Sequence, residues 1–111
     1  MNLWLVTAQD AQGSLLVRGL EQAGWSCTCF ADGEAAEQAA QGETPDAFLI
    51  VEPCAPWGAA GLLSRLRSTS PDAERPVLVL GVEDAETRTR LLDLGADDVL
   101  PAVVGTDELL A

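Results

Sequence analysis

Short apolar runs alternate along the chain with longer stretches in which apolar residues recur every three or four positions. Leu3 to Val6 is an unbroken run stopped by Thr7, the mark of a buried strand, whereas Ala11 to Ala23 sets Leu15, Leu16, Gly19, Leu20 and Ala23 at helical spacing. Gly24 closes that helix. Trp25 to Phe30 predicts a second strand, and Asp32-Gly33 precedes an alanine-rich helix from about Glu34 to Gln41. Pro45-Asp46 leads into Ala47 to Val51, the most apolar run of all, which suits a central parallel strand covered on both faces.

Pro53 and Pro56 lack backbone donors and interrupt the ladder, after which Leu62, Leu63 and Leu66 predict a third helix with Arg65 and Arg67 near its end. Pro76 to Leu80 reads as a fourth strand, Asp84 to Leu94 as a fourth helix closed by Gly95, and Asp98 to Pro101 as a short fifth strand. Thr106 or Asp107 is placed to cap a last helix that would be one turn long, so the chain reads as the N-terminal part of a longer protein. Strands alternating with helices predict an α/β fold of one domain over 1–111. Five parallel strands in a doubly wound three-layer sandwich, with right-handed crossovers, are the economical arrangement.

Charge narrows the functions open to such a domain. Against 18 acidic residues stand 6 arginines and no lysine, a formal net charge of −12. Phosphates would be repelled, so contact with DNA must come from another domain. The start, Met1 to Val6, has no basic region and only a short apolar run, which argues against a signal peptide or membrane span and places the chain in the cytoplasm. The three cysteines, Cys27, Cys29 and Cys54, have no histidine to complete a zinc site and are expected to be buried free thiols. Cys27 and Cys29 share one face of a strand, and a redox or soft-metal role would need that face exposed. No histidine base, Gly-rich phosphate loop or Ser-His pair supports a small-molecule enzyme, and no cofactor is implied.

Three segments carry a family resemblance. Pro45-Asp46-Ala47-Phe48-Leu49-Ile50-Val51 through Leu62-Leu63-Ser64-Arg65-Leu66-Arg67 follows, without a gap, the third strand, loop and third helix of CheY-like response-regulator receivers. Arg75-Pro76-Val77-Leu78-Val79-Leu80 resembles their fourth strand, and Leu94-Gly95-Ala96-Asp97-Asp98-Val99-Leu100 is similar to their Gly-Ala-Asp-Asp-Tyr-Leu signature. The resemblance implies a flavodoxin-like fold and a site at the carboxyl edge of the sheet. There, two acids after the first strand and a phosphoaccepting aspartate hold magnesium, and a hydroxyl and a lysine bind the phosphoryl oxygens.

In the ungapped register those groups are missing. Thr7 and Ala8 stand for the acidic pair, Val51 for the phosphoacceptor, Gly81 for the hydroxyl residue, Ala102 for the lysine and Val103 for the proline after it. The resemblance is therefore to a degenerate receiver, a pseudo-receiver with no metal site. Glu52, next to the acceptor position, and Asp10 are the acids nearest that edge; Glu52 either mimics a phosphoaspartate or is simply solvated at the strand end.

The opposite side keeps more of the pattern. Arg88, Arg90, Asp97, Asp98 and Glu108 resemble the charged set by which OmpR/PhoB-type receivers form homodimers through the fourth helix, fifth strand and fifth helix. A solvated charged face is the plain alternative. Trp4, inside a strand, is expected in the core, with Trp25 and Trp57 partly buried or anchoring a partner. These features lead to a phosphorylation-independent dimerising module that governs an attached output domain, a winged-helix DNA-binding one first. The alternatives are a standalone docking domain and a phosphorylatable receiver that uses Glu52.

Overall fold

The computed structural model describes residues 2–7, 11–43, 45–52, 57–69 and 76–101. In chain order the elements are β1 (Asn2–Val6), α1 (Ala11–Gln22), β2 (Ser26–Phe30), α2 (Gly33–Ala40), β3 (Ala47–Val51), α3 (Gly58–Thr69), β4 (Val77–Leu80), α4 (Ala85–Asp93) and β5 (Asp98–Leu100). All strand pairs are parallel, in the order β2-β1-β3-β4-β5, so β2 and β5 are the edges. This is the doubly wound α/β sandwich that the alternation predicts.

Side chains alternate across the sheet and build two cores. Trp4, Val6, Phe48, Ile50, Val77, Val79 and Val99 face Ala36 of α2, Leu62, Leu63 and Leu66 of α3, and Leu91 of α4. On the other face, Leu3, Leu5, Ala47, Leu49 and Leu80 meet Leu20 of α1, with Leu16, Val17, Trp25, Cys27 and Val51 packed around them. Trp4 is a core residue, as expected, its ring 5.0 Å from that of Phe30 and edge-on to that of Phe48 at 5.8 Å. Trp57 is half-buried, with the Arg65 guanidinium 3.9 Å above its ring.

Several boundaries differ from the sequence reading for local reasons. Trp25 is not in β2: its N–H donates to the Leu20 carbonyl and finishes the exit turn of α1, where Gly24 takes a φ of +101°. β5 stops at Leu100, before Pro101, which has no donor for a ladder. Asp32 and Asp84 lie outside their helices as N-caps, accepting from the amides of Ala35 and Thr87. Leu15, placed on the apolar face of α1 by its spacing, is 66% exposed, and the buried stripe runs through Leu16, Val17 and Leu20 instead.

The cysteine expectation needs correction. Cys27 is half-buried and Cys29 exposed, because β2 is an edge strand with no neighbour beyond it among the described residues. Cys54 lies outside the described residues, as do Thr106, Asp107 and the start of the last helix.

One device fastens the amino edge of the sheet twice. Asp46, just before β3, accepts from the Asn2 amide of β1 at 2.6 Å, and Asp97, just before β5, accepts from the Val77 amide of β4 at 2.7 Å. Each carboxylate satisfies the first donor of the neighbouring strand. Arg67 at the end of α3 joins the second clasp, donating to the Gly95 carbonyl at 2.6 Å and lying 3.4 Å from Asp97. Gly95 has a φ of +113°, and a Cβ there would stand 3.1 Å from Arg67 Nε. The Gly-Ala-Asp segment is thus a structural joint.

Asp97→Ala leaves the Val77 amide without its acceptor and should cost about 1–3 kcal/mol in urea denaturation, with Asp97→Asn recovering part of the loss. Hydrogen bonds from Thr87, side chain first and backbone second, hold the Asp84 carboxyl below its ordinary value. Its contribution is complete above the unfolded value and is lost as pH falls through the folded one. The stability difference between wild type and Asp84→Asn should therefore change only in the acid range and be flat near neutrality.

Candidate functional site at the carboxyl rim of the sheet

The carboxyl ends of β1, β3, β4 and β5 meet along one rim. Thr7 is buried there, 8% exposed, and its amide donates to the Phe30 carbonyl. Val51 is the last residue of β3 and pairs with Leu80, the last of β4. The ladder continues one step past both strands: the Glu52 amide donates to the Leu80 carbonyl at 2.8 Å, and the Gly81 amide to the Leu100 carbonyl at 3.0 Å.

Strand alternation sends Val51 and Glu52 to opposite sides of the sheet. Val51 packs on the α1 side with Leu49, while Glu52 follows Ile50 toward α3. The half-buried Glu52 carboxylate accepts from the Ala59 amide at 2.8 Å, in the first turn of α3. Negative charge is favourable at that helix end, so Glu52 serves as an internal cap, not as a merely solvated side chain.

Gly81 is required by its surroundings. Its φ is +95°, and a Cβ there would lie 2.8 Å from the Glu52 carbonyl oxygen and 3.3 Å from Glu52 Cβ. The nearest groups are backbone, which yields little. Any side chain at 81, a hydroxyl one included, would meet strain from both causes.

No family model matches the chain. Over 112 aligned residues that take in the whole chain, it is 33% identical to Response regulator MprA of Mycobacterium avium (strain 104). A response regulator of Chloroflexus aurantiacus J-10-fl has the same fold with a TM-score of 0.88 and 26% identity, over 98% of this chain and 90% of that one. The chain belongs to the response-regulator receiver family. It spans about half the length of the curated relatives it matches, 48% of MprA. Receivers of this family are signalling modules. The receiver of the sensor histidine kinase PA1611 from Pseudomonas aeruginosa PAO1, with magnesium coordinated in its active site cleft, shares the fold at a TM-score of 0.86 and 21% identity, over 98% of this chain and 90% of its own.

A hard divalent ion needs several oxygen ligands, carboxylates among them. The described rim offers one buried hydroxyl at Thr7, a hydrocarbon side chain at Val51, and a Glu52 carboxylate already bound at α3. Among the described residues no three Asp, Glu, Cys or His side chains come together as a metal site. These residues do not fit the ion. Ala8, Asp10, Ala102 and Val103 lie outside the described residues.

The charged set expected at the pairing face is only partly together. Arg88 lies 3.9 Å from Asp98 within the chain, both side chains about half exposed. Arg90 is exposed and lines a shallow groove along α4 with Glu86, Thr89, Asp93 and Leu94. The Asp97 carboxylate, about half exposed, is engaged by Val77 and Arg67 within the chain. Glu108 lies outside the described residues. Sequence reading missed Ala59 as Glu52's partner, although a glycine-alanine helix start six residues after an acid offered a signal.

A hydroxyl-bearing side chain at position 81 should be costly. Gly81→Ser is expected to lose about 1–3 kcal/mol of stability by chemical denaturation. Stability equal to wild type would mean that the Gly81 backbone relaxes freely.

Proposed function

We propose that this receiver signals without phosphoryl transfer, as a pseudo-receiver that pairs with a second copy and thereby governs an attached output domain. The observation that carries the reading is the register of β3. It puts a valine at the strand end, where the family resemblance calls for the phosphoaccepting aspartate, and turns the adjacent Glu52 to the helix side. A hydrocarbon has no lone pair to attack phosphorus.

Domain 1–111 is read as the N-terminal part of a longer protein, in keeping with the greater length of MprA. A winged-helix DNA-binding domain is the output that the OmpR/PhoB resemblance implies, and the −12 charge leaves DNA contact to that domain. The cytoplasm is the compartment that goes with this role; among the described residues no helix is long and apolar enough to cross a membrane.

Pairing through α4, β5 and the last helix would reassign a weak contact. The Arg88–Asp98 pair is long and solvated, worth at most about 1 kcal/mol, so moving both charges onto partner residues costs little. Arg88 would meet Glu108 across a two-fold axis, as the OmpR/PhoB resemblance implies. Asp97 stays within its own protomer.

A standalone docking domain is the second reading, favoured by the half-exposed Trp57 under Arg65. Phosphorylation on Glu52 is the third, with one oxygen of that carboxylate held by the Ala59 amide.

Incubation with acetyl phosphate and magnesium followed by intact mass measurement is expected to show no phosphoryl adduct; a stable adduct on a carboxylate of this domain would refute the reading. In sedimentation, Arg88→Glu is expected to raise the dimer dissociation constant by roughly tenfold or more. A monomeric wild type, or an unchanged constant, would remove the α4 pairing.

A further inference from the structure

The two edges of the sheet are built differently. β5 has three residues, starts on Asp98 and is followed by Pro101, features that discourage another strand from adding there. β2 has five, Ser26-Cys27-Thr28-Cys29-Phe30, with no charge, proline or glycine, in a chain of net charge −12. Among the described residues it pairs only with β1.

The direction of its free backbone groups follows from one bond. The Phe30 carbonyl accepts from Thr7 beyond β1, and alternate residues of a strand address the same neighbour, so Ser26, Thr28 and Phe30 use their backbone groups toward β1. Cys27 and Cys29 direct theirs to the open edge. Two donors and two acceptors stand there in line, and Cys29 is exposed.

We infer that the β2 edge is a pairing surface for a second copy of this chain, joined antiparallel about a two-fold axis through Thr28. In that arrangement Cys27 lies opposite the partner's Cys29 and the partner's Cys27 opposite Cys29. Each couple exchanges two backbone hydrogen bonds, four in all. Ser26 faces the partner's Phe30, and Asp32, the nearest acid past the strand, faces the partner's Gly24, so no two acids stand opposite each other in the strand register. Two-fold pairing uses one patch twice, and this short segment is its own complement. The surface is independent of the rim reading and lies at the other edge of the sheet from α4 and β5.

The cysteines report the register. Residues that exchange both bonds in an antiparallel pair have Cα atoms about 5.5 Å apart, within disulfide range, whereas two copies of Cys29, or of Cys27, stand diagonally beyond it. Burial, then the Glu21 carboxylate, pushes both thiols up, so cross-linking is run at alkaline pH. The chain carries Cys54→Ser, and dioxygen with copper-phenanthroline oxidises each facing thiol pair to a disulfide while oxygen is reduced to water. The expected product is a covalent dimer of twice 11.6 kDa, formed at least about tenfold less when either Cys27→Ser or Cys29→Ser is added. No covalent dimer, or one that persists with a single cysteine, overturns the inference.

A second measurement needs no oxidation. Cys29→Pro removes only an edge-facing donor, which an edge strand tolerates. In an Arg88→Glu background under reducing conditions it should weaken self-association about tenfold with the circular dichroism spectrum unchanged. Unchanged association by the folded variant contradicts the proposal.

Discussion

The register of β3 against its neighbours is the constraint on which the rest of this receiver depends. β3 is the middle strand, apolar on both faces, and a slip of one residue would carry Phe48 and Ile50 out of the tryptophan-containing core and Leu49 out from under α1. That cost is several large side chains at about 1.5–3 kcal/mol each, far more than any polar contact at the rim returns. Asp46 pins the strand where it begins, through the Asn2 amide, and the Glu52 amide pins it where it ends, through the Leu80 carbonyl. Fixed in this way, β3 ends on a valine.

The rim is organised around that fact. Glu52, one residue on, is sent toward α3 and caps its first turn, while its carbonyl and Cβ crowd the space beside Gly81. The acid at 52 and the glycine at 81 are two parts of one packed junction. A phosphoryl group would need oxygen donors and cationic partners there, and a side chain at 81 has no room without backbone movement. The sheet edges carry a comparable asymmetry: β5 is short and guarded by charge and proline, while β2 is neutral and open.

Much of the architecture was legible in the sequence because it is local. Apolar runs of four or five residues marked β1, β3 and β4, Gly24 and Gly95 marked helix exits, and Asp84 marked a helix start. What escaped depends on strand order or on distant contacts. Cys29 is exposed because β2 is an edge, which no window around residue 29 reveals. Asp97 is a surface charge, as it reads, but its partners Val77 and Arg67 come from β4 and α3, far off in the chain. Leu15 fits the helical period yet misses the core, since three- and four-residue spacings define a wider stripe than α1 buries. At the rim, residue identities could be read position by position, but the destination of Glu52 could not, because its partner belongs to the next helix.

The most direct test of the central claim is an amide-resolved NMR titration of the receiver with beryllofluoride, a mimic of the phosphoryl group, in the presence of magnesium. With β3 ending on valine and Glu52 held at Ala59, the resonances of Gly81, Leu100 and α4 should stay where they are at saturating reagent. Saturable shifts that begin at Gly81 and spread into α4 would contradict the account.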